Sequence, residues 1–329
     1  MMKLPSAQLL GQPNKRALHH KERFAVCGSS WEVSCDSPQL LAVLREWFEP
    51  AGSLTSPPDL SLAFSVDRVR PEQPPWPQPY FRGLDHLVYA AYGPGNSMLI
   101  DLRTCQVIGS FSPAMACDFG YWKQVIVPVL LGIVSQSLRI TPLHCACLVN
   151  KGEGLLLGGL SGAGKSTLAL SLACHGLEYL SDDWTYFSRN ESQVRAWGLP
   201  TAVKLLPDAA EYFPQLYEFE PHVSLNGEVA FEVDPVEIFG VNRALTCQPR
   251  WVVFVERTVE ARATFATISS AEAATRFASE LETLPASIAE MQEFQLNTIG
   301  SVVDRECWVL RHGLPPDALA QELLEFCKS

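Results

Sequence analysis

Apolar and polar positions follow two different rhythms along this 329-residue chain, and the change between them divides it. The first third mostly carries the pattern of short strands. Phe24–Cys35 reads as two strands around Gly28, and Pro57–Val66 as a strand entered from a proline turn. His86–Ala91, Ser97–Asp101 and Gln106–Ser110 read as three more, two of them joined by a Gly-Pro-Gly turn. One helix interrupts them: Pro38–Phe48 places Leu40, Leu41, Leu44, Trp47 and Phe48 at helical spacing. Arg70–Gln78 is rich in proline and reads as a surface loop. Residues 1–22 are polar and read as a loose tail. A small α+β domain over residues 23–117 is therefore expected.

Phe119–Leu138 is almost wholly apolar and reads as a helix linking two domains across residues 118–140, with a break possible at Pro128. From Leu143 the rhythm becomes strand, loop, helix, strand. Cys145–Asn150 and Gly154–Leu157 are apolar strands, Ser166–His175 a helix closed by Gly176, and Leu177–Ser181 the next strand. Arg250–Glu256 and Glu306–Arg311 read as further strands. Ser269–Leu281 reads as a helix opened by a capping box from Ser269 to Glu272, and Pro315–Cys327 as a last helix with proline in its first turn. The second domain, residues 141–329, is thus expected to be α/β.

Composition narrows the partners. Hydrophobic residues make up 47% and charged residues 19%, enough apolar material for two cores. The formal net charge is −11, and the only basic cluster is the short Lys15–Arg23 stretch, so nucleic acid is not an expected partner. The longest uncharged apolar run, Val125–Leu138, is too short for a bilayer, so no membrane span is expected. Residues 1–23 lack the apolar core of a secretory signal, which makes a cytoplasmic home with reduced thiols the expectation. Ten cysteines include no CxxC pair. Cys145 and Cys147 would share one face of a strand, as a metal or redox pair or as small buried hydrophobes.

One motif carries specific chemistry. Gly159-Leu160-Ser161-Gly162-Ala163-Gly164-Lys165-Ser166 fits G-x-x-x-x-G-K-[ST], with Thr167 following. Its glycines let backbone N–H groups curl around a phosphate, and the next helix presents its positive end to the same group. Lys165 can reach the β- and γ-phosphates, and the Ser166 hydroxyl can bind Mg²⁺. The required strand before and helix after are both expected here. ATP and Mg²⁺ follow as the expected cofactors, with Gly159 to Thr167 holding the nucleotide.

Two weaker features gain from that neighbour. Asp182 and Asp183 follow the strand ending near Ser181, where a metal-binding acid sits in P-loop enzymes. One could hold Mg²⁺ with Ser166, Asp183 being the expected ligand, while the other accepts a proton; the plain alternative is a helix cap or a solvated turn. His144, placed at the start of the strand leading toward the loop, reads as either a core residue or a catalyst. Trp184 and Tyr186 could line the site or pack a strand face. Lys204, within the apolar Ala202–Pro207, could snorkel to the surface or reach the phosphates. Glu191 and Lys204 are expected to shape the acceptor side.

Residues 143–187 together resemble the HPr kinase/phosphorylase family of bacterial serine kinases. That family has a histidine before the loop, then G-x-x-L-x-G-x-S-G-x-G-K-S, then A-L, a glycine, and a strand ending in Asp-Asp. Those features fall here on His144, Gly154, Leu157, Gly159, Ser161, Gly162, Gly164, Lys165, Ser166, Ala169, Leu170, Gly176, Asp182 and Asp183. The resemblance implies a P-loop domain of the HPr kinase/phosphoenolpyruvate carboxykinase type. It also implies ATP-dependent phosphorylation of a Ser/Thr hydroxyl on a protein or peptide, and a homo-oligomer. It implies catalytic roles for His144, Lys165, Asp182 and Asp183. The family's Arg-Gly-Leu-Gly-like stretch is absent; Glu191–Pro200 (ESQVRAWGLP) stands in its place, which leaves a second metal ligand unassigned. Arg250 is a loose match to a family arginine. An ATP-binding regulator with little transferase activity, or a small-molecule kinase, are the alternatives.

Overall fold

A computed structural model describes residues 18–52, 56–67, 72–190 and 193–328. Most of the expected tail, part of the proline-rich loop and Glu191 therefore lie outside the described residues. The chain is mixed α/β and divides into two compact units between Tyr121 and Trp122. Among the described residues, no helix is long and apolar enough to cross a membrane.

The first unit is built on a seven-stranded sheet. Its strands are β1 (His20–Val26), β2 (Ser29–Cys35), β3 (Leu60–Val66), β4 (Tyr80–Leu84), β5 (Leu87–Ala91), β6 (Ser97–Asp101) and β7 (Gln106–Phe111), in the order β1-β2-β3-β7-β6-β5-β4. The alternation in β3, with Leu60, Leu62, Phe64 and Val66 buried, is what the sequence rhythm announces. The helix Pro38–Arg45 buries Leu40, Leu41, Val43 and Leu44. Two details differ from expectation. The first strand starts at His20, inside the stretch read as a tail, because its charges are partnered: Lys21 and Arg23 pair with Glu32 across the hairpin, and Glu22 pairs with Arg45. The edge strand β4 exposes every residue, so it has no alternation to read.

The second unit opens with a π-helical turn, Trp122–Ile126, followed by the helix Val127–Val134. The helix expected over Phe119–Leu138 is present from Phe119 to Val134 without a gap. At Pro128 it does not break; the backbone changes to the wider π form over Trp122–Ile126, just before the proline. The strands that follow are β8 (Ile140–His144), β9 (Ala146–Asn150), β10 (Glu153–Gly158), β11 (Glu178–Ser181), β12 (Trp184–Arg189) and β13 (Val194–Trp197). Beyond these lie β14 (Val203–Leu205), β15 (His222–Val223), β16 (Val229–Val233), β17 (Thr246–Arg257), β18 (Ala263–Ile268) and β19 (Cys307–His312). Nine of them form one sheet in the order β11-β9-β10-β17-β13-β12-β8, with β19 also on β17 and β18 beyond it; β14-β16-β15 form a small separate sheet.

Both faces of the large sheet are covered, which explains its unbroken apolar runs. Leu155, Leu157, Val253 and Val255 face one core with the helices Lys165–Cys174 and Pro316–Phe326. Leu156, Val252 and Phe254 face the other with the helices Ser270–Ala278 and Glu290–Val303. The last of these was not legible as a helix, since Gln295, Thr298 and Gly300 interrupt its apolar stripe, although Gln295 and Thr298 are buried. The strands β10, β17 and β19 run parallel, so their C-terminal ends open on one side of the sheet. Ligands in α/β sheets bind at that side.

Candidate active site

The glycine-rich loop leaves the C-terminal end of β10 and enters the helix Lys165–Cys174. Gly159 turns with φ +136, and a Cβ there would lie 2.5 Å from the Val255 carbonyl oxygen. The backbone of β17 thus presses the start of the loop flat, and only glycine fits. Gly159→Ala is expected to destabilise the protein by about 1–3 kcal/mol, read as a lower midpoint in urea unfolding. Gly164 caps the helix in the left-handed region, φ 92 and ψ 16, and no side chain caps it. The first N–H groups of that helix are therefore left to a ligand or solvent.

Lys165 is buried, at 6% exposure. Its Nζ donates to the carbonyl oxygens of Gly159 at 2.6 Å and Leu160 at 3.3 Å, bending the side chain back across the loop. Burial lowers its pKa, opposed by the negative charges of Glu280 and Asp183 nearby. A backbone cradle with three glycines at positive φ (Gly159, Gly162 and Gly164) and an ammonium aimed into its mouth fits a polyphosphate. The loop residues Leu160, Ser161 and Gly162 are exposed, and Ala163 is buried beneath them; Ser166 and Thr167, in the first helical turn, are half-buried.

The two aspartates sit in the turn between β11 and β12 and differ sharply. Asp182 is buried, and both its oxygens are engaged: Tyr179 Oη donates to Oδ1 at 2.7 Å, and the Lys204 backbone N–H to Oδ2 at 3.1 Å. Burial, and the charge of Asp183 beside it, push its pKa up to about 6. Asp183 points outward, with half its side chain exposed. The turn is pinned by Thr185, whose Oγ1 donates to the Cys145 carbonyl at 2.8 Å and so accepts from Ser181 Oγ at 2.6 Å.

Asp182 also supplies a stability prediction. The folded chain keeps Asp182 protonated to a higher pH than the unfolded chain does, so stability falls as pH rises from about 4 through about 6. Above that window the charged, desolvated carboxylate costs on the order of 2–3 kcal/mol. An asparagine can keep both contacts, its Oδ1 accepting from Lys204 N–H and its amide donating to Tyr179 Oη. Asp182→Asn is therefore expected to raise the unfolding free energy at pH 7.5 and to flatten its pH dependence between 4 and 6, checked by denaturation across pH.

His144 ends β8 and does not start the strand leading to the loop, as the sequence reading had it. Cys145 separates the two strands, its N–H bonded to the Leu143 carbonyl. The antiparallel register of β8 on β12 sets His144 opposite Trp184, which brings the imidazole to Asp183, one residue earlier. Nε2 lies 3.0 Å from Asp183 Oδ1, and Nδ1 lies 3.1 Å from Glu280 Oε2. The Trp184 ring packs against the imidazole at 5.6 Å. Hydrogen bonds to Asp183 and Glu280 push the His144 pKa up to about 9, against burial and the charge of Lys165.

Other candidates fall elsewhere. Arg250 lies near the start of β17, paired with Glu153 at the start of β10, at the opposite end of the sheet from the loop. The Lys204 ammonium is bound to Glu228 and Asn226, both at 2.6 Å; only its backbone reaches Asp182. Tyr186 is buried, while Trp184 is half exposed beside His144. Cys145 and Cys147 are both buried; the thiol of Cys147 faces Cys247, at 3.6 Å, and burial pushes the pKa of Cys145 up to about 12. Glu280 escaped the sequence reading because it lies 136 residues from His144. The signal for it was an acid just beyond the C-terminal end of a helix, where the helix dipole disfavours negative charge. Among the described residues, no cluster of three or more His, Cys, Asp or Glu side chains could hold a metal ion.

In sequence, the chain matches no protein-family model and no curated protein. In structure it is similar to the Hpr(Ser) kinase/phosphatase from Coxiella burnetii, over 57% of this chain and 96% of that one, at 12% identity and a TM-score of 0.31.

Proposed function

We propose that this protein transfers the γ-phosphoryl group of ATP to a Ser/Thr hydroxyl of a protein or peptide. The observation that carries this reading is the meeting of two groups of residues. A glycine loop with an inward-bent Lys165 lies close enough to Asp183 and Glu280 for their charges to act on the ammonium. Phosphoryl transfer asks little covalent chemistry of a protein; positioning and charge neutralisation suffice.

The loop N–H groups from Gly159 to Thr167 and the Lys165 ammonium would bind the phosphates. Mg²⁺, which supplies charge neutralisation between the phosphates, would be held by the nucleotide and the Ser166 hydroxyl. Such a site suits Mg²⁺, which keeps most of its waters and needs few protein ligands. Asp183, expected from the sequence as a metal ligand, would instead serve the acceptor in this reading. Its Oδ1 is held by a histidine whose positive charge opposes a second cation there. Exposed and oriented, Asp183 would accept the acceptor's proton as the hydroxyl attacks. Asp182, buried with both oxygens engaged, would hold the turn that carries Asp183.

The acceptor class is tested by incubating the protein with γ-labelled ATP, Mg²⁺ and either a lysate or a pool of serine-containing peptides. Acid-stable label on a protein or peptide is the expected result. Label in a low-mass product instead would make the protein a small-molecule kinase. ATP binding without any labelled product would make it a nucleotide-binding regulator.

A further inference from the structure

Both ring nitrogens of His144 face carboxylates, Asp183 at 3.0 Å and Glu280 at 3.1 Å. A neutral imidazole has one N–H donor and would leave the other nitrogen's lone pair against a carboxylate oxygen; only the imidazolium donates to both. The cluster is therefore a cation between two anions, with net charge −1. Without Glu280 it would be a neutral Asp183–His144 pair. The charged groups around the ring are these two acids and Lys165, whose ammonium opposes the ring's charge.

Glu280 stands where a helix gives it nothing. It follows the helix Ser270–Ala278 and its C-cap Ser279, and its N–H donates to the Phe277 carbonyl. The partial negative charge of that helix end disfavours a carboxylate. The nearest arginine on the helix, Arg276, is turned to Glu256 and Glu272. In the structure, the polar partner of the Glu280 carboxylate is His144.

We propose that Glu280 is a positioning residue of the phosphoryl-transfer site: by binding Nδ1 of His144 it fixes the ring, and through the ring it aims Asp183 and keeps the cluster anionic. This rests on the transferase reading above. The physical consequence is that an acid 97 residues downstream of the Asp-Asp turn, on a different element, sets the orientation of Asp183. Asp183 alone would form a neutral pair with the imidazolium; with Glu280 on the other ring nitrogen the cluster keeps a net negative charge beside the acceptor. No part of this requires Glu280 to touch the nucleotide or the acceptor.

The test uses the full chain carrying Glu280→Gln, Glu280→Ala, Glu280→Asp or His144→Gln, with two readouts. The first is steady-state transfer. Glu280→Gln should lower kcat by about 10–100-fold, by analogy with the loss when the carboxylate orienting a metal-bound histidine is removed. The KM for ATP should stay within a few fold, and Glu280→Asp should recover part of kcat. The second is the imidazole N–H proton spectrum at neutral pH. A hydrogen-bonded Nδ1–H of His144, identified by its loss in His144→Gln, should be present in wild type, lost in Glu280→Ala, which has no acceptor, and retained in Glu280→Asp. An Nδ1–H signal unchanged in Glu280→Ala overturns the proposal, as does an unchanged kcat in Glu280→Gln. If wild type transfers no phosphate, the transferase reading fails. The spectrum then still decides whether Glu280 holds His144, so the two failures are told apart. A variant with a lowered unfolding midpoint is read through Glu280→Asp, which keeps the carboxylate.

Discussion

Lys165→Ala is expected to reduce phosphoryl transfer by roughly 10²–10³-fold or more, the loss typical of removing one preorganised group from a developing negative charge. The reason lies in where the ammonium waits. It is buried at 6% exposure and donates to the loop's own carbonyls at Gly159 and Leu160; burial lowers its pKa, opposed by the charges of Glu280 and Asp183. A phosphate entering the loop would exchange those weak acceptors for a charged one. Lys165→Arg should not rescue the loss, because a planar guanidinium fork does not reproduce the compact, rotatable ammonium point charge. Transfer rates at saturating ATP, with nucleotide affinity measured separately by calorimetry, check both variants.

Asp183→Asn is expected to lower kcat by about 10²–10⁴-fold while leaving ATP affinity within a few fold. Asp183 is the exposed carboxylate of the pair, and its contact to His144 Nε2 orients it. An asparagine keeps the size and can still accept from Nε2 through its oxygen, but it takes up no proton. The contrast with Asp182→Asn is the informative part. Asp182 is buried between Tyr179 and the Lys204 backbone, so its neutralisation should stabilise the fold at neutral pH, whereas Asp183→Asn, which removes one of the two carboxylates holding the His144 imidazolium, should not. Two adjacent aspartates would thus separate into a residue that holds the turn and a residue that serves the proposed acceptor. Unfolding curves and transfer rates on the two variants measure that separation.

The glycine-rich loop was legible in the sequence because its parts are contiguous: a strand, glycines at fixed offsets, a lysine and a helix. Each is a local backbone requirement, and the structure realises them at Gly159, Gly164 and Lys165. The histidine's setting was not legible. His144 and Asp183 meet because β8 pairs antiparallel with β12 in a register that puts His144 opposite Trp184. A one-residue slip would turn the imidazole to the other face of the sheet, and sequence spacing does not fix that register. Glu280 was further from reach, since it arrives from a helix on one face of the sheet. Lys204 shows a third kind of limit. The sequence posed a question about its ammonium, and the contribution to the site comes from its backbone N–H. In the first unit, β4 was missed because an edge strand exposed throughout has no buried face to leave a pattern.

The most direct measurement is nucleotide binding and γ-phosphoryl transfer in parallel on wild type and Asp183→Asn, with Mg²⁺ and the same acceptor pool. The account predicts that both proteins bind ATP with similar affinity and that only wild type labels an acceptor at an appreciable rate. Equal labelling by the two proteins would contradict the role of Asp183, and wild type that binds no nucleotide would contradict the site itself.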